Sequence, residues 1–125
     1  LCGEIEHAIA DRQYASLGEM CRASLPAVDR YIVVATQGKG DVAALQAALK
    51  MAASYTAFVG SRRKFASCED KLTAAGVSAA QIATVRSPAG VHINAVTPDE
   101  IALSIMAEII QTRRTARQQH AADDA

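Results

Sequence analysis

The chain has 125 residues, with 13 basic and 13 acidic side chains and a formal net charge of zero. This length suits one ordinary domain and argues against a two-domain enzyme. A chain without excess positive charge has no broad cationic field to hold nucleic acid or an anionic membrane. Half of the residues are hydrophobic, yet no stretch approaches the roughly 20 uncharged apolar residues of a membrane span. The composition predicts a soluble domain with no nucleic-acid or membrane partner.

The cysteines and the first residues predict a cytoplasmic protein. Cys2, Cys21 and Cys68 are odd in number and show no CxxC spacing, which argues against a disulfide framework and a structural zinc site. Glu4 and Glu6 lie where a signal peptide would carry basic residues.

The first thirty residues predict two short helices. Apolar residues at helical spacing indicate one around residues 5–9. Ser16 with Glu19 is typical of a capping box at the start of the second. We therefore treat residues 1–30 as a helical N-terminal segment.

Strand and helix patterns alternate from residue 31 onward. Apolar, β-branched runs predict strands over 31–36 and 55–59. Apolar stripes predict a helix from 41 to about 52, capped by Asp41, and another over 62–75. Because strands joined by a helical crossover run parallel, the loops that follow both strands should open at one edge of the sheet, where α/β proteins bind ligands.

Two later segments complete the pattern. Residues 82–85 indicate a short third strand or the end of a helix. The sequence Thr97-Pro98-Asp99-Glu100 is typical of a helix start, and the helix is predicted to run past Thr112. Since its apolar residues occupy more than one face, we expect it to be clamped between the sheet and another element. Residues 118–125 are predicted to be a disordered tail behind a domain over 31–117.

The sharpest local feature is the run Gly60, Ser61, Arg62, Arg63 and Lys64, where a strand ends and a helix begins. Free backbone N–H groups and arginine side chains at such a point favour a phosphate or carboxylate. The alternative is that the serine only caps the helix, while the cations are solvated or paired with acidic residues such as Asp70.

The equivalent loop after the first strand contains Thr36, Gln37 and Gly38. Its glycines permit a tight turn and the close approach of a ligand, although an ordinary connection has the same composition. His92 has no neighbouring metal ligands at suitable spacing, so a structural role is favoured. Cys68 lies on an apolar helical face and is expected to be a buried, inert thiol.

Neither a GxGxxG fingerprint nor a GxxxxGK[ST] phosphate loop is present. Over residues 30–114, however, the chain resembles the XdhC/CoxI family, in the C-terminal Rossmann-like domain of that family. The segments that carry the resemblance are VVATQGKGD (33–41), FVGSRRK (58–64), SPAG (87–90) and TPDEIALSIMAEI (97–109). The family loop PxGLDIG differs here at Val91, His92 and Asn94.

The resemblance implies an α/β, Rossmann-like three-layer fold with a short parallel sheet flanked by helices, lacking the glycine-rich first βαβ unit. It implies an accessory factor that binds the molybdenum cofactor (molybdopterin) and delivers it to a molybdenum hydroxylase apo-enzyme, with a cysteine desulfurase as a further partner. The cofactor would contact the two strand-end loops and Gly90. The alternatives are an NAD(P)- or nucleotide-binding domain of an oxidoreductase and a non-catalytic scaffold. Independently of these, the apolar last helix suggests a homo-oligomer.

Overall fold

The computed structural model describes residues 10–23 and 29–123, which form an α/β domain. Its elements in chain order are α1 (Leu17–Arg22), β1 (Tyr31–Val34), α2 (Asp41–Leu49), β2 (Tyr55–Phe58), α3 (Arg62–Ala74), α4 (Ala79–Ala83), β3 (Val85–Arg86) and α5 (Pro98–Asp123). The strands form one parallel sheet in the order β1-β2-β3, which confirms the predicted fold class. No helix among the described residues is long and apolar enough to cross a membrane. The helix expected around residues 5–9 lies outside the described residues.

Several element ends differ from the sequence-based expectation. The start of α2 was predicted to be capped by Asp41, but the cap position is Gly40, which has a φ of 73°. Glycine adopts this left-handed conformation without steric cost, and Asp41 then becomes the first helical residue. The segment 82–85 contains both predicted alternatives, because α4 ends at Ala83 and β3 begins at Val85.

The hydrophobic core lies between one face of the sheet and the helices α2, α3 and α4. Leu45 and Leu72 are fully buried, and the ring of Phe58 packs against Phe65 with a centroid distance of 5.7 Å. The buried members of this core are Val34, Leu45, Ala48, Phe58, Cys68, Leu72, Ile82 and Val85. Burial of each large apolar side chain stabilises the fold by about 1.5–3 kcal/mol.

Helix α5 lies over β2 on the opposite face of the sheet, where Val33 of β1 remains 40% exposed. Side chains alternate along a strand, so Tyr55 points away from the face that carries Phe58. The Tyr55 hydroxyl donates a hydrogen bond of 2.6 Å to Glu108 of α5. The expectation that this helix is clamped on two sides is wrong for the described residues, since Leu103 and Met106 are exposed. The helix also continues to Asp123, so residues 118–123 are helical where a disordered tail was predicted.

Candidate anion-binding cleft

The ends of β1 and β2 lie side by side at one edge of the sheet. Val34 is paired with Phe58 in the parallel register, and the Val59 N–H donates to the Val34 carbonyl at 2.9 Å. Both following loops therefore leave the sheet at the same edge, as the order of strands and helices predicted. This is the edge at which parallel sheets bind ligands.

The loop after β1 is a tight turn held against the start of α2. The Lys39 N–H donates to the Thr36 carbonyl at 3.1 Å. Gln37 and Gly38, between them, have positive φ angles of 52° and 85°, as in a type I′ turn, which explains the glycine. The Thr36 hydroxyl donates to the Asp41 carboxylate. The Thr36 hydroxyl therefore fixes the orientation of the turn, and Gly38 leaves the backbone of the turn exposed at the surface.

The loop after β2 begins α3 as predicted. Ser61 is the N-cap, and its hydroxyl oxygen accepts a hydrogen bond of 3.1 Å from the Lys64 N–H. The side chains of Arg62, Arg63 and Lys64 are exposed. None of them forms an ion pair with a carboxylate of the described residues, Asp70 included. These cations are therefore available to an external anion.

An open cleft of about 380 Å³ lies between the start of α2 and the side of α3. A Cβ atom built on Gly38 would lie 3.8 Å from the Lys64 ammonium nitrogen, so the structure brings these two predicted residues together. Gly60, Arg62 and Arg63 are not part of the lining. The lining residues are Gly38, Gly40, Asp41, Val42, Ala43, Lys64, Ser67, Cys68 and Lys71. This volume is within the usual range for small-molecule sites.

Ser67 and Lys71 are cleft residues that the sequence analysis did not single out. Ser67 is three residues after Lys64, and Lys71 is four residues after Ser67. This spacing places all three side chains on one face of the helix. That spacing was the available signal. Lys64 and Lys71 give the cleft two ammonium groups, whereas Asp41 is the one carboxylate among its lining residues. The charge balance therefore favours an anion.

Cys68 reaches the same cleft from the core side. The side chain is buried, as the sequence predicted. Burial raises the pKa of its thiol, the negative charge of Asp41 raises it further, and the positive charge of Lys71 opposes the shift. Both the burial and the raised pKa disfavour the thiolate, which is the nucleophilic form.

The two remaining predicted glycines have packing roles in the structure. A Cβ atom on Gly60 would lie 2.6 Å from the ring of Phe58. Gly90 has a φ of 96°, and a Cβ atom there would overlap Ser104 of α5. Gly90 thus lies against α5 and does not line the cleft. His92, from the same segment, is exposed.

Glu108 joins three parts of the fold and was missed at the sequence level. Its carboxylate accepts the 2.6 Å hydrogen bond from Tyr55 and one of 3.0 Å from the Gly90 N–H. Burial is the largest cause that raises the pKa of Tyr55, followed by the hydrogen bond and negative charge of Glu108, while Arg86 opposes the shift. Glu108 is four residues after Ser104, so both side chains lie on the same face of α5. A charged residue on a face that packs against the sheet indicates a polar contact.

Together, the parallel sheet and the loops at its carboxyl edge define a Rossmann-like domain with a cationic cleft. The described residues contain no group of three or more His, Cys, Asp or Glu side chains that could hold a metal ion. The family model of the XdhC Rossmann domain matches residues 4–109, and the chain belongs to this family. The matched region begins earlier than residue 30, where the sequence resemblance was expected to start.

Proteins similar to this chain include one curated sequence and one solved structure. The uncharacterized protein YqeB of Escherichia coli (strain K12) is 34% identical over 88 residues, which cover 70% of this chain and 16% of YqeB. A crystal structure described as a xanthine dehydrogenase from Bacillus halodurans matches with a TM-score of 0.65 and 26% identity. That match covers 85% of this chain and 30% of the solved one. The chain therefore spans only a minor part of either relative.

Proposed function

We propose that this domain is an accessory factor for a molybdenum hydroxylase of the xanthine dehydrogenase type. In this role it binds the molybdenum cofactor as cargo and delivers it to the apo-enzyme. Membership of the XdhC family supports the accessory role. The observation that carries the binding step is the approach of Lys64 to Gly38 at the carboxyl edge of the sheet.

The phosphate of molybdopterin is the part of the cargo that fits the cleft. Lys64 and Lys71 supply ammonium groups from one side of α3, and Gly38 allows the anion to approach the backbone of the opposite loop. Arg62 and Arg63 lie outside the lining, so their N–H groups add only the positive end of the α3 dipole beside the cleft. Redox chemistry belongs to the cofactor in the target enzyme, while the residues of this chain bind and orient its phosphate end.

Delivery requires a partner surface as well as a cofactor site. The partner in this proposal is the apo-form of the molybdenum hydroxylase, and a cysteine desulfurase is a second partner if the terminal sulfur is installed on the bound cofactor. Cys68 is unsuited to carry that sulfur, because it is buried and its thiol has a raised pKa. Of the two described cysteines, Cys21 is the exposed one.

The test of the binding step is a fluorescence titration with molybdopterin, NAD and AMP in parallel. We expect selective binding of molybdopterin, weakened about tenfold by Lys64→Ala, which corresponds to about 1.4 kcal/mol. The double variant Arg62→Ala/Arg63→Ala should lose less affinity, since its side chains lie outside the lining. Lys50→Ala is the matched control, because it removes an exposed lysine outside the cleft lining and should leave affinity unchanged.

The other outcomes distinguish the competing functions. Tighter binding of NAD or AMP in the same cleft would replace the cofactor proposal with a nucleotide-binding one. The absence of binding by a folded chain would favour a scaffold. The delivery step is tested separately, by adding the cofactor-loaded domain to apo-xanthine dehydrogenase and measuring recovered activity against free cofactor. Equal recovery in both samples would contradict a delivery role.

A further inference from the structure

Helix α5 carries an apolar stripe on the side that faces away from the sheet. Leu103, Met106 and Ile110 are 65%, 53% and 46% exposed. Their spacing of three and four residues places them on one side of the helix. Ser104 and Ile105, which are buried, lie on the other side. A contiguous apolar stripe of this kind is typical of a protein interface.

The charges at the two ends of the helix determine how a partner helix would lie. Asp99 and Glu100 occupy the first turn, and Arg113, Arg114 and Arg117 follow the stripe. Two copies of α5 in parallel would place arginines against arginines. In the antiparallel orientation each acidic end meets a basic end, and the helix dipoles also oppose one another.

We propose that the apolar stripe is the interface of a homodimer, in which α5 packs antiparallel against α5 of a second copy. Asp99, Leu103, Met106, Ile110, Arg113 and Arg117 lie on one line with the three-and-four spacing of a coiled-coil seam. Alignment about a two-fold axis at the level of residue 108 places Met106 beside Ile110 of the partner subunit. It places Leu103 beside Arg113 of the partner subunit, whose alkyl chain can cover the leucine. The same alignment places Asp99 beside Arg117 of the partner subunit.

This surface fits a second copy because it is complementary to itself. A two-fold interface requires every contact to occur twice with the roles of the residues exchanged. The contact between Met106 and Ile110 of the partner subunit meets this condition. The contact between Asp99 and Arg117 of the partner subunit also does, so the two copies share two such ion pairs at opposite ends of the seam.

Sedimentation equilibrium across a range of protein concentrations tests the stripe. We expect a monomer–dimer equilibrium for the native chain and a monomer for Met106→Glu/Ile110→Glu at every concentration. Ala66→Glu, which places a carboxylate on the exposed side of α3, is the control and should still dimerise. A native chain that stays monomeric at several hundred micromolar, or a stripe variant that still dimerises, would overturn the proposal.

A charge reversal tests the orientation. Asp99→Arg should raise the dimer dissociation constant about tenfold, because it places two like charges together at each end of the seam. The double variant Asp99→Arg/Arg117→Asp should restore the native value, since the exchanged charges attract again. Circular dichroism shows whether α5 stays helical in both variants. A double variant that dimerises no better than Asp99→Arg, with α5 intact, would refute the antiparallel register.

Discussion

The two faces of the sheet are held by different kinds of contact. On the face that carries Phe58, three helices share a continuous apolar core with fully buried leucines. On the opposite face, α5 is held to β2 and to the loop at Gly90 by polar contacts: the Glu108 carboxylate accepts from Tyr55 and from the Gly90 N–H, and the Ser104 carbonyl accepts from the Val91 N–H at 3.1 Å. Apolar packing tolerates small shifts, whereas polar contacts require particular atoms at particular positions. The first face thus contributes most of the stability. The second face fixes the position of α5 and leaves the opposite side of that helix exposed.

The largest expected effect concerns the apolar face. Leu72→Ala should lower the free energy of unfolding by about 2–5 kcal/mol, because it removes a fully buried side chain and leaves a cavity. Urea denaturation followed by circular dichroism measures the change. Thr73→Ala, at the neighbouring exposed position, should change stability by less than about 0.5 kcal/mol. Equal effects from both substitutions would contradict the assignment of the core to this side of α3.

The next effect concerns the polar contact on the other face. Glu108→Ala should lower the free energy of unfolding by about 1–3 kcal/mol, because it leaves the buried Tyr55 hydroxyl and the Gly90 N–H without their acceptor. The same denaturation experiment applies. Tyr55→Phe in the Glu108→Ala background should recover part of the loss, since the buried hydroxyl is then absent. If the two substitutions were simply additive, the contact would not stabilise the fold as described.

A smaller effect is expected at the start of α3. Ser61→Ala should cost about 1 kcal/mol, because the hydroxyl that accepts from the Lys64 N–H is lost. Thermal denaturation measures it, and Ser67→Ala, a substitution later in the same helix, is the control. Ser61→Gly should be milder, as glycine is accepted at an N-cap. A loss of stability at Ser67 equal to that at Ser61 would argue against the cap.

The smallest effect is a dependence on pH at the start of α5. The pKa of Glu100 is lowered, chiefly by hydrogen bonds from the backbone N–H groups of Thr97 and Val96, and also from the Thr97 hydroxyl. A folded-state pKa below the unfolded value stabilises the fold above the unfolded pKa, and this contribution is lost as pH falls. Between about pH 7 and about pH 3, the free energy of unfolding should therefore decline less steeply for Glu100→Gln than for the native chain. Glu69→Gln, on the exposed side of α3, should follow the native curve.

Sequence reasoning located the cleft but predicted only two of its nine lining residues, Gly38 and Lys64, as ligand contacts. The alternation of strands and helices implied that the loops at Gly38 and Lys64 share one edge, and the structure confirms that they meet. Lys71 and Ser67 were within reach of the same reasoning, because they lie on the helical face of Lys64. The role of Gly90 was not, since the atoms that require this glycine belong to Ser104 on α5.

The amino-acid sequence alone determined the local structure of this protein: the β-branched strands, the cap at Ser61, the capping box at Thr97 and the cationic start of α3. These features depend on residues close together in the chain, so a short window of sequence contains their physical cause. Only the tertiary structure decided that Glu108 binds Tyr55, that Gly90 lies against α5, and that one side of α5 remains exposed. Each of these outcomes depends on contacts between residues that are far apart in the sequence. Such contacts form only when the helices pack against the two faces of the sheet.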